Sequence, residues 1–267
     1  METRSVGRRV MGEFCRVEKE GRLTIVTIER PDVMNALHPP GNFELAEAFD
    51  DFAADPEQWV AIITGAGDRA FSAGNDLKYQ ASGGKMGGPK SGFAGLTARF
   101  DNSKPVIAAV NGLAMGGGFE IALACDLIIA SENAIFALPE PRVGLAALAG
   151  GIHRLPREIG MKQAMGMLLT GRRVPAAEGQ QLGFVNEVVP KGQALTAAKQ
   201  WAAQILECAP ISVRASKEAA MQGLAAESLE AAIKGRYDQI AALYASEDFI
   251  EGPRAFSEKR APNWKGK

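Results

Sequence analysis

Short apolar runs that stop at a glycine or a polar residue constrain the fold of this 267-residue chain more than any other feature. They include WVAIITG, PVIAAVNG and CDLIIAS. Each run is short and mostly apolar, without alternation, which is typical of a strand buried on both faces. Helical patterns lie between the runs, as in the spacing of Phe43, Phe49 and Phe52. Strands therefore alternate with helices, which predicts an α/β fold with parallel pairing and right-handed crossovers.

The two ends of the chain differ from this pattern. We predict a flexible tail over residues 1–13, because its arginines flank no apolar core of the kind that a secretory signal needs; a mitochondrial leader is the less favoured alternative. Residues 14–191 hold the alternating core, which opens with two strands around a turn at Glu20 and Gly21. From 192 to 267 apolar residues recur at helical spacing, which indicates a separate helical layer or an oligomerisation region.

Charge and cysteine content exclude several classes of protein. The formal net charge is −1, so no overall field favours nucleic acid or a membrane surface. No apolar run reaches the length of about 18 residues that a membrane helix requires. The three cysteines are an odd number and widely separated, which favours a reducing compartment and the cytoplasm over a disulfide framework.

Familiar cofactor and nucleophile motifs are missing from the sequence. His38 and His153 have no metal-ligating partner at helical spacing, and no phosphate-binding P-loop or dinucleotide fingerprint is present. Ser72 and Cys125 have no plausible base near them in sequence. We therefore expect neither a metal nor a separate cofactor.

The stretch NGLAMGGGFEIALACD places three glycines, Gly116 to Gly118, directly before an apolar helix that carries Glu120. Glycines leave backbone N–H groups uncovered, and a helix that starts there adds its positive dipole end. Such a loop stabilises an anion or a developing oxyanion. The alternative is a tight strand-to-helix turn without a ligand, and the residues alone leave both open.

The stretch AFSAGNDLK forms a second small-residue loop after a strand, at Ser72 to Gly74. Two such loops could direct two backbone N–H groups at one oxygen. The alternative is an ordinary turn in which Asn75 or Asp76 caps a helix.

Two glutamates stand in apolar or proline-rich surroundings. Glu120 lies one turn into its helix, and Glu140 lies between prolines in FALPEPRVGL. Two carboxyls that face one water would form an acid/base pair. Alternatively, Glu120 interacts only with the helix dipole and Glu140 only completes a turn. The sequence does not decide whether the two converge.

The segment from Tyr79 to Lys104 carries six glycines in YQASGGKMGGPKSGFAG and little periodicity. It is either a loose surface insertion or a mobile wall over a pocket.

Several segments in the same order give the chain a close resemblance to the enoyl-CoA hydratase/isomerase family, the crotonases. The resemblance runs from about Phe14 to the end of the chain. The matching segments are RPDVMNAL, AFSAGNDLK, KPVIAAVNGLAMGGGFEIALACDLIIAS, FALPEPRVGL, AGGIHRLPREIG, LTGRRVPAAEGQQLGFVNEVV and EGPRAFSEKRAPNW.

The resemblance implies a spiral of ββα units followed by a helical trimerisation region, and trimers that often pair into hexamers. It implies a coenzyme A thioester as substrate, with the coenzyme as part of that substrate. By position, the oxyanion hole would be the amides of Asn75 and Gly117, and the catalytic glutamates would be Glu120 and Glu140. The substrate-binding and coenzyme A-binding positions would be Met34, Ala36, Ala73, Asp76, Leu77, Lys78, Gly116, Phe256 and Lys259.

The activity implied is hydration of a 2,3 double bond in an acyl-CoA thioester. Alternatives are a double-bond isomerase, a carnitinyl-CoA dehydratase-like enzyme, or a protein that binds acyl-CoA or RNA without turnover. The segment GLAALAGG departs from the Gly/Pro-rich sequence usual after the second glutamate. Its Leu145 or Leu148 could reshape the pocket for the acyl group, so the identity of the acyl substrate stays open.

Overall fold

The computed structural model describes residues 9–267, in which strands and helices alternate as the sequence predicts. The strands are β1 (Arg9–Met11), β2 (Cys15–Glu20), β3 (Leu23–Ile28), β4 (Val60–Gly65), β5 (Ala70–Ser72), β6 (Val106–Val110), β7 (Leu113–Met115), β8 (Leu127–Ser131), β9 (Ile135–Ala137), β10 (Val174–Pro175) and β11 (Glu187–Val189).

Helices cover both sides of these strands and make up most of the chain after residue 190. They are α1 (Pro39–Ala54), α2 (Leu77–Ala81), α3 (Gly117–Ala124), α4 (Gly151–Ile159), α5 (Met161–Thr170), α6 (Ala176–Leu182), α7 (Ala194–Leu206), α8 (Pro210–Gly223), α9 (Leu229–Ile233), α10 (Asp238–Ala245) and α11 (Glu247–Glu258). Short 3-10 turns lie at Pro31–Val33, Phe93–Gly95 and Glu140–Val143. No helix in the described range is long and apolar enough to cross a membrane.

The larger sheet has seven strands in the order β1-β2-β3-β4-β6-β8-β11. The pairs β1–β2 and β2–β3 are antiparallel, and every pair from β3 to β11 is parallel. Strands β3, β4 and β6 are buried along their whole length, which explains why they are mostly apolar rather than apolar only at alternate positions.

A second sheet of four strands has the order β10-β9-β7-β5. Successive turns of the chain place one strand in each sheet: β4 then β5, β6 then β7, and β8 then β9. Helix α2 follows the first of these pairs and helix α3 follows the second. This repeating unit is a ββα spiral, so the predicted fold is confirmed.

Apolar side chains pack on both faces of the larger sheet. Between the sheets and under α1 and α3 lies the main core, which includes Phe49, Phe71, Phe119 and Phe136. On the opposite face, α7 packs against β4, β6 and β8 and closes a smaller core. The main core surrounds the glycine loops, so those loops rest on rigid strand ends.

Two predicted loop-like segments are more ordered than composition suggested. Of the predicted tail, residues 1–8 lie outside the described range, whereas residues 9–11 form β1, whose backbone pairs with Arg16 to Glu18 of β2. In the segment from Tyr79 to Lys104, the middle glycines are exposed, but Ala94 to Thr97 are buried against α1. Backbone pairing and local packing order these residues despite their weak periodicity.

Candidate active site

The loop between β7 and α3 has a geometry that only glycine adopts easily. Gly116 has φ +53 and precedes α3, and Gly117 is the first helical residue. A side chain on Gly118 would collide with the carbonyl oxygen of Ser72. The loop is therefore held tightly against β5, and the start of α3 has a fixed position in the core.

The loop after β5 meets the start of α3. Gly74 has φ +82, and a Cβ on it would lie 2.7 Å from the nitrogen of Gly117 and 2.6 Å from the carbonyl oxygen of Met115. Asn75 is the next residue. Within residues 9–267, the backbone N–H groups of Asn75 and Gly117 donate to no protein acceptor. The structure thus brings the two predicted donors to adjoining loops, both without a partner.

A set of polar contacts that the sequence reasoning missed holds this second loop. The hydroxyl of Ser72 donates to the carbonyl oxygen of Asn35 at 2.8 Å and accepts from the N–H of Gly74 at 3.1 Å. The buried amide of Asn35 donates to the carbonyl oxygen of Ala70 at 2.8 Å. Only the fold reveals this role, because Asn35 and Ser72 are far apart in sequence.

The segment around Met34 runs beside the same loop. Its carbonyl oxygen accepts from the N–H of Ala73 at 2.9 Å, and the Leu37 N–H donates to the carbonyl oxygen of Gly74 at 2.7 Å. Three of the residues predicted to bind substrate, Met34, Ala36 and Ala73, are therefore neighbours of Asn75.

Glu120 is buried, with 3% of its surface exposed, in the first turn of α3. Its Oε1 accepts from the backbone N–H of Gly151, at the start of α4, at 2.8 Å. Burial, with the charge of Glu140, raises the pKa of Glu120 to about 7, although the backbone N–H groups of Gly151 and Ala149 oppose the rise. Glu120 therefore exchanges a proton near neutral pH.

Glu140 begins the 3-10 turn after β9 and approaches the same glycine loop. A Cβ on Gly116 would lie 2.9 Å from its Oε1. Its Oε2 is buried and finds no hydrogen-bond partner among the described residues, and burial raises the pKa of this carboxyl as well. An oxygen in this environment favours the protonated form, because an unpaired negative charge is costly to bury.

An aromatic side chain outside the predicted set covers the helix start. The ring of Phe93 lies so close to Gly117 that a Cβ there would be 2.6 Å from its Cε1. Its 3-10 turn is fixed by a 2.7 Å hydrogen bond from the N–H of Ala94 to the side chain of Asn42. Part of the glycine-rich segment therefore forms a wall of the site, and no periodic signal in the sequence marks Phe93 for this role.

Some predicted residues stand apart from this cluster. The carboxylate of Asp76 caps α2 through the N–H of Tyr79 at 3.1 Å and pairs with Arg30, which matches the alternative of a helix cap. Leu77 and Lys78 are exposed on α2. Phe256, 88% exposed, and Lys259 lie at the end of α11, where no contact in the described chain joins them to the glutamates.

The residues after Glu140 divide between surface and core. Leu145 and Leu148 are exposed, whereas Ala147 is buried beside Gly151. A separate cleft of about 480 Å³ lies between α1 and residues 89–101, with Phe43, Asp50 and Phe100 among its lining residues. Neither glutamate lines this cleft, so it is separate from the cluster of glutamates and glycine loops.

The profile of the enoyl-CoA hydratase/isomerase family matches residues 18–267. The chain belongs to this family. A carnitinyl-CoA dehydratase of Salmonella typhi is 44% identical over 263 residues, which span 96% of this chain and 100% of the relative. An enoyl-CoA hydratase of Mycobacterium tuberculosis is 37% identical, with a TM-score of 0.90 and coverage of 96% of this chain and 100% of the other.

A further solved structure, a carnitinyl-CoA hydratase of Mycobacterium avium, is 41% identical, with a TM-score of 0.76 over 96% of this chain and 100% of the other. These three relatives are named as hydratases or a dehydratase, which are hydro-lyases. The family, fold class and enzyme class predicted from the sequence are confirmed.

Proposed function

We propose that this crotonase-family enzyme adds water reversibly across the 2,3 double bond of an acyl-CoA thioester. The observation that carries the proposal is the meeting of Glu120, Glu140 and the unpartnered N–H groups of Asn75 and Gly117 around one pair of glycine loops. Carboxyls with raised pKa values beside backbone donors are the groups that hydration next to a carbonyl requires.

In the proposed mechanism the thioester carbonyl oxygen accepts hydrogen bonds from Asn75 and Gly117. These donors, with the dipole of α3, withdraw electrons from the conjugated system and make C3 electrophilic. The interaction strengthens as negative charge builds on that oxygen in the enolate-like state, so it stabilises the transition state more than the bound substrate.

The two glutamates then divide the proton transfers. Glu120 takes a proton from water as the water oxygen bonds to C3, because the Gly151 N–H stabilises its ionised form. Glu140, whose Oε2 favours the protonated form, gives its proton to C2 as the enolate collapses. One proton enters the pair and one leaves it, and the product gains the elements of one water.

A dehydratase that acts on a polar acyl group is the second candidate. The 44% identity to a carnitinyl-CoA dehydratase over 96% of this chain supports it. Its chemistry is the same reaction run in reverse, so the same residues would serve. Isomerisation is a weaker candidate, because one proton-carrying group suffices for it and this site has two.

We also propose a trimer or hexamer built through the C-terminal helices. Large apolar side chains are exposed along α8 to α11, and surface of this kind usually marks an interface. They are Met221, Leu224, Leu229, Ile233, Tyr244, Phe249, Ile250 and Phe256. In such an assembly Phe256 and Lys259 would meet the coenzyme A of a neighbouring subunit. The free cysteines Cys15, Cys125 and Cys208 suit a reducing cytoplasm.

The test is an assay with crotonyl-CoA that follows loss of the conjugated thioester absorbance, repeated with carnitinyl-CoA in the dehydration direction. We expect Glu140→Gln to lose nearly all turnover while still binding acyl-CoA, because Gln keeps the shape but cannot act as an acid or a base near neutral pH. Glu227→Gln, at an exposed glutamate, is the matched control. Turnover by Glu140→Gln at the wild-type rate would overturn the assignment of Glu140.

A further inference from the structure

The side chain of Ser72, at the end of β5, is fully buried, and its hydroxyl both donates and accepts a hydrogen bond. It donates to the carbonyl oxygen of Asn35 at 2.8 Å and accepts from the backbone N–H of Gly74 at 3.1 Å. Both partners are backbone groups, so the hydroxyl is placed to hold the loop that carries Asn75 rather than to attack a substrate.

Leu37 pairs with Asn75 in an isolated parallel bridge. The N–H of Leu37 donates to the carbonyl oxygen of Gly74 at 2.7 Å, and its carbonyl oxygen accepts from the N–H of Asp76 at 2.8 Å. The peptide between Gly74 and Asn75 is planar and trans, so its N–H points away from its carbonyl oxygen. Because that carbonyl is directed at Leu37, the N–H of Asn75 is directed away from Leu37 and stays free for a ligand.

The two donors of the proposed oxyanion hole are held in different ways. The N–H of Gly117 shares its peptide with the carbonyl of Gly116, which accepts from the N–H of Glu120 at 3.0 Å as the first hydrogen bond of α3. Helix α3 therefore fixes that donor by itself. The N–H of Asn75 has no helix behind it, so its direction depends on the contacts that hold its loop to residues 34–37.

Asn35 gives the Ser72 hydroxyl a fixed acceptor. Asn35 has a left-handed conformation, with φ +54, which asparagine tolerates better than most residues. Its side-chain Oδ1 accepts from the N–H of Arg30 at 3.0 Å, and its Nδ2 donates to the carbonyl oxygens of Ala66 at 3.0 Å and Ala70 at 2.8 Å. The backbone of Asn35 is thus locked in place, and Ser72 connects this locked segment to the loop.

We propose that Ser72 is a positioning residue whose hydroxyl holds the peptide between Gly74 and Asn75 in the orientation that presents the Asn75 N–H to the substrate carbonyl. The inference rests on the proposed function, because it takes that N–H as an oxyanion donor. Without the hydroxyl, the buried N–H of Gly74 loses its acceptor, and the loop must move to satisfy it. Ser72 touches neither thioester nor water in this mechanism; it acts through Gly74.

The test compares Ser72→Ala, which removes the hydroxyl, with Ser131→Ala. Ser131, at the end of β8, is the matched control, because it is equally buried but its hydroxyl has no hydrogen-bond partner within residues 9–267. The measurements are kcat and KM for crotonyl-CoA and the infrared frequency of the thioester carbonyl in bound butyryl-CoA, isotope-labelled at that carbonyl. Butyryl-CoA has no 2,3 double bond to hydrate, so it stays intact during the measurement.

We expect Ser72→Ala to lower kcat about 10–100-fold, less than the outright loss of a donor, with a smaller change in KM. The carbonyl band of bound butyryl-CoA should move back towards the frequency of the free thioester, because a misdirected donor withdraws less charge from the carbonyl. Ser131→Ala should keep the wild-type kcat and band position. A fall in activity of Ser72→Ala with the band unchanged would show a purely structural role and overturn the proposal.

The carbonyl band also separates this inference from the proposed function. A wild-type enzyme that does not lower the carbonyl frequency of butyryl-CoA would overturn the proposed oxyanion hole and this inference with it. A lowered frequency that Ser72→Ala leaves in place would overturn the inference alone. If Ser72→Ala does not fold, Ser72→Cys fills the same site with a weaker hydrogen-bonding group and should move the band in the same direction. An unmoved band in Ser72→Cys would then contradict the inference.

Discussion

The backbone N–H of Gly151 lies 2.8 Å from Oε1 of Glu120 and ties the first turn of α3 to the first turn of α4. A Cβ on Gly151 would come within 3.1 Å of Cγ of Glu120, so this close approach suits glycine. The backbone N–H of Gly151 thus anchors this buried carboxyl, and the backbone N–H of Ala149 also favours its ionised form.

Glu120→Gln should change how stability depends on pH. The folded-state pKa of Glu120 is raised to about 7 from an ordinary value of 4.5, so the native state binds more protons than the unfolded state between those values. The unfolding free energy of the wild type therefore falls as pH rises between these two pKa values. Above the folded-state pKa the full loss of stability from ionising Glu120 is present.

Gln is neutral throughout, so the variant lacks this slope. From about pH 5 to about pH 8 we expect its unfolding free energy to rise relative to wild type by about 1–3 kcal/mol, measured by urea denaturation. Glu227→Gln, at an exposed site, should track the wild type at every pH. A wild-type slope in Glu120→Gln would show that Glu120 is not protonated in the fold.

Gly74→Ala should damage the proposed oxyanion hole. The added Cβ would lie 2.7 Å from the nitrogen of Gly117, so the two loops must move apart. Losing one donor typically lowers kcat about 10²–10³-fold. Gly160→Ala is the control, because Gly160 has a similar φ of +79 but open space around it, so it shares the backbone strain without the collision. Equal kcat in both variants would contradict the prediction.

Phe93→Ala should alter substrate selection. The ring lies against Gly117, so its removal enlarges the space beside the reacting carbonyl. We expect kcat/KM for crotonyl-CoA to fall. The ratio of kcat/KM for bulkier acyl-CoA substrates to kcat/KM for crotonyl-CoA should rise about 10-fold. Phe43→Ala removes a half-exposed ring from α1 and should leave the ratio unchanged. Steady-state kinetics over a series of acyl chain lengths checks both.

Hydrogen exchange should divide the glycine-rich segment in two. Residues 82–90 are mostly exposed, whereas Ala94 to Thr97 are buried and hydrogen-bonded. We expect fast exchange in the first part of the free enzyme, slowed by an acyl-CoA, and slow exchange in the second part in both states. Unchanged exchange on binding would show a passive insertion rather than a mobile wall.

Lys259→Ala should raise KM more than it lowers kcat, because a cation that meets a coenzyme A phosphate contributes mainly to binding. Light scattering should give a trimer or hexamer, and deletion after Glu247 should abolish activity. Lys265→Ala, which removes another lysine from the same end of the chain, is the control. A fully active monomer would limit the C-terminal region to intrachain packing.

Local patterns were sufficient for the central strands and for the main helices. β3, β4 and β6 are buried on both faces and so are mostly apolar, and α1 shows its buried face in the spacing of Phe49 and Phe52. Among the segments that these patterns did not mark are β1 and the turn at Phe93. Their order comes from pairing with β2 and packing on α1, which leaves no periodic trace in their own residues.

The sequence by itself determined which groups could do chemistry: two glutamates in apolar surroundings and two glycine loops after strands. It also determined the family, because several ordered motifs together are specific. Only the tertiary structure decided that these groups meet. Glu120, Glu140 and Gly74 lie on three different turns of the spiral, and their approach depends on how parallel strands stack. The same stacking brings in Gly151, Phe93 and Asn35, since contacts between distant segments fix burial and pKa, which local sequence does not encode.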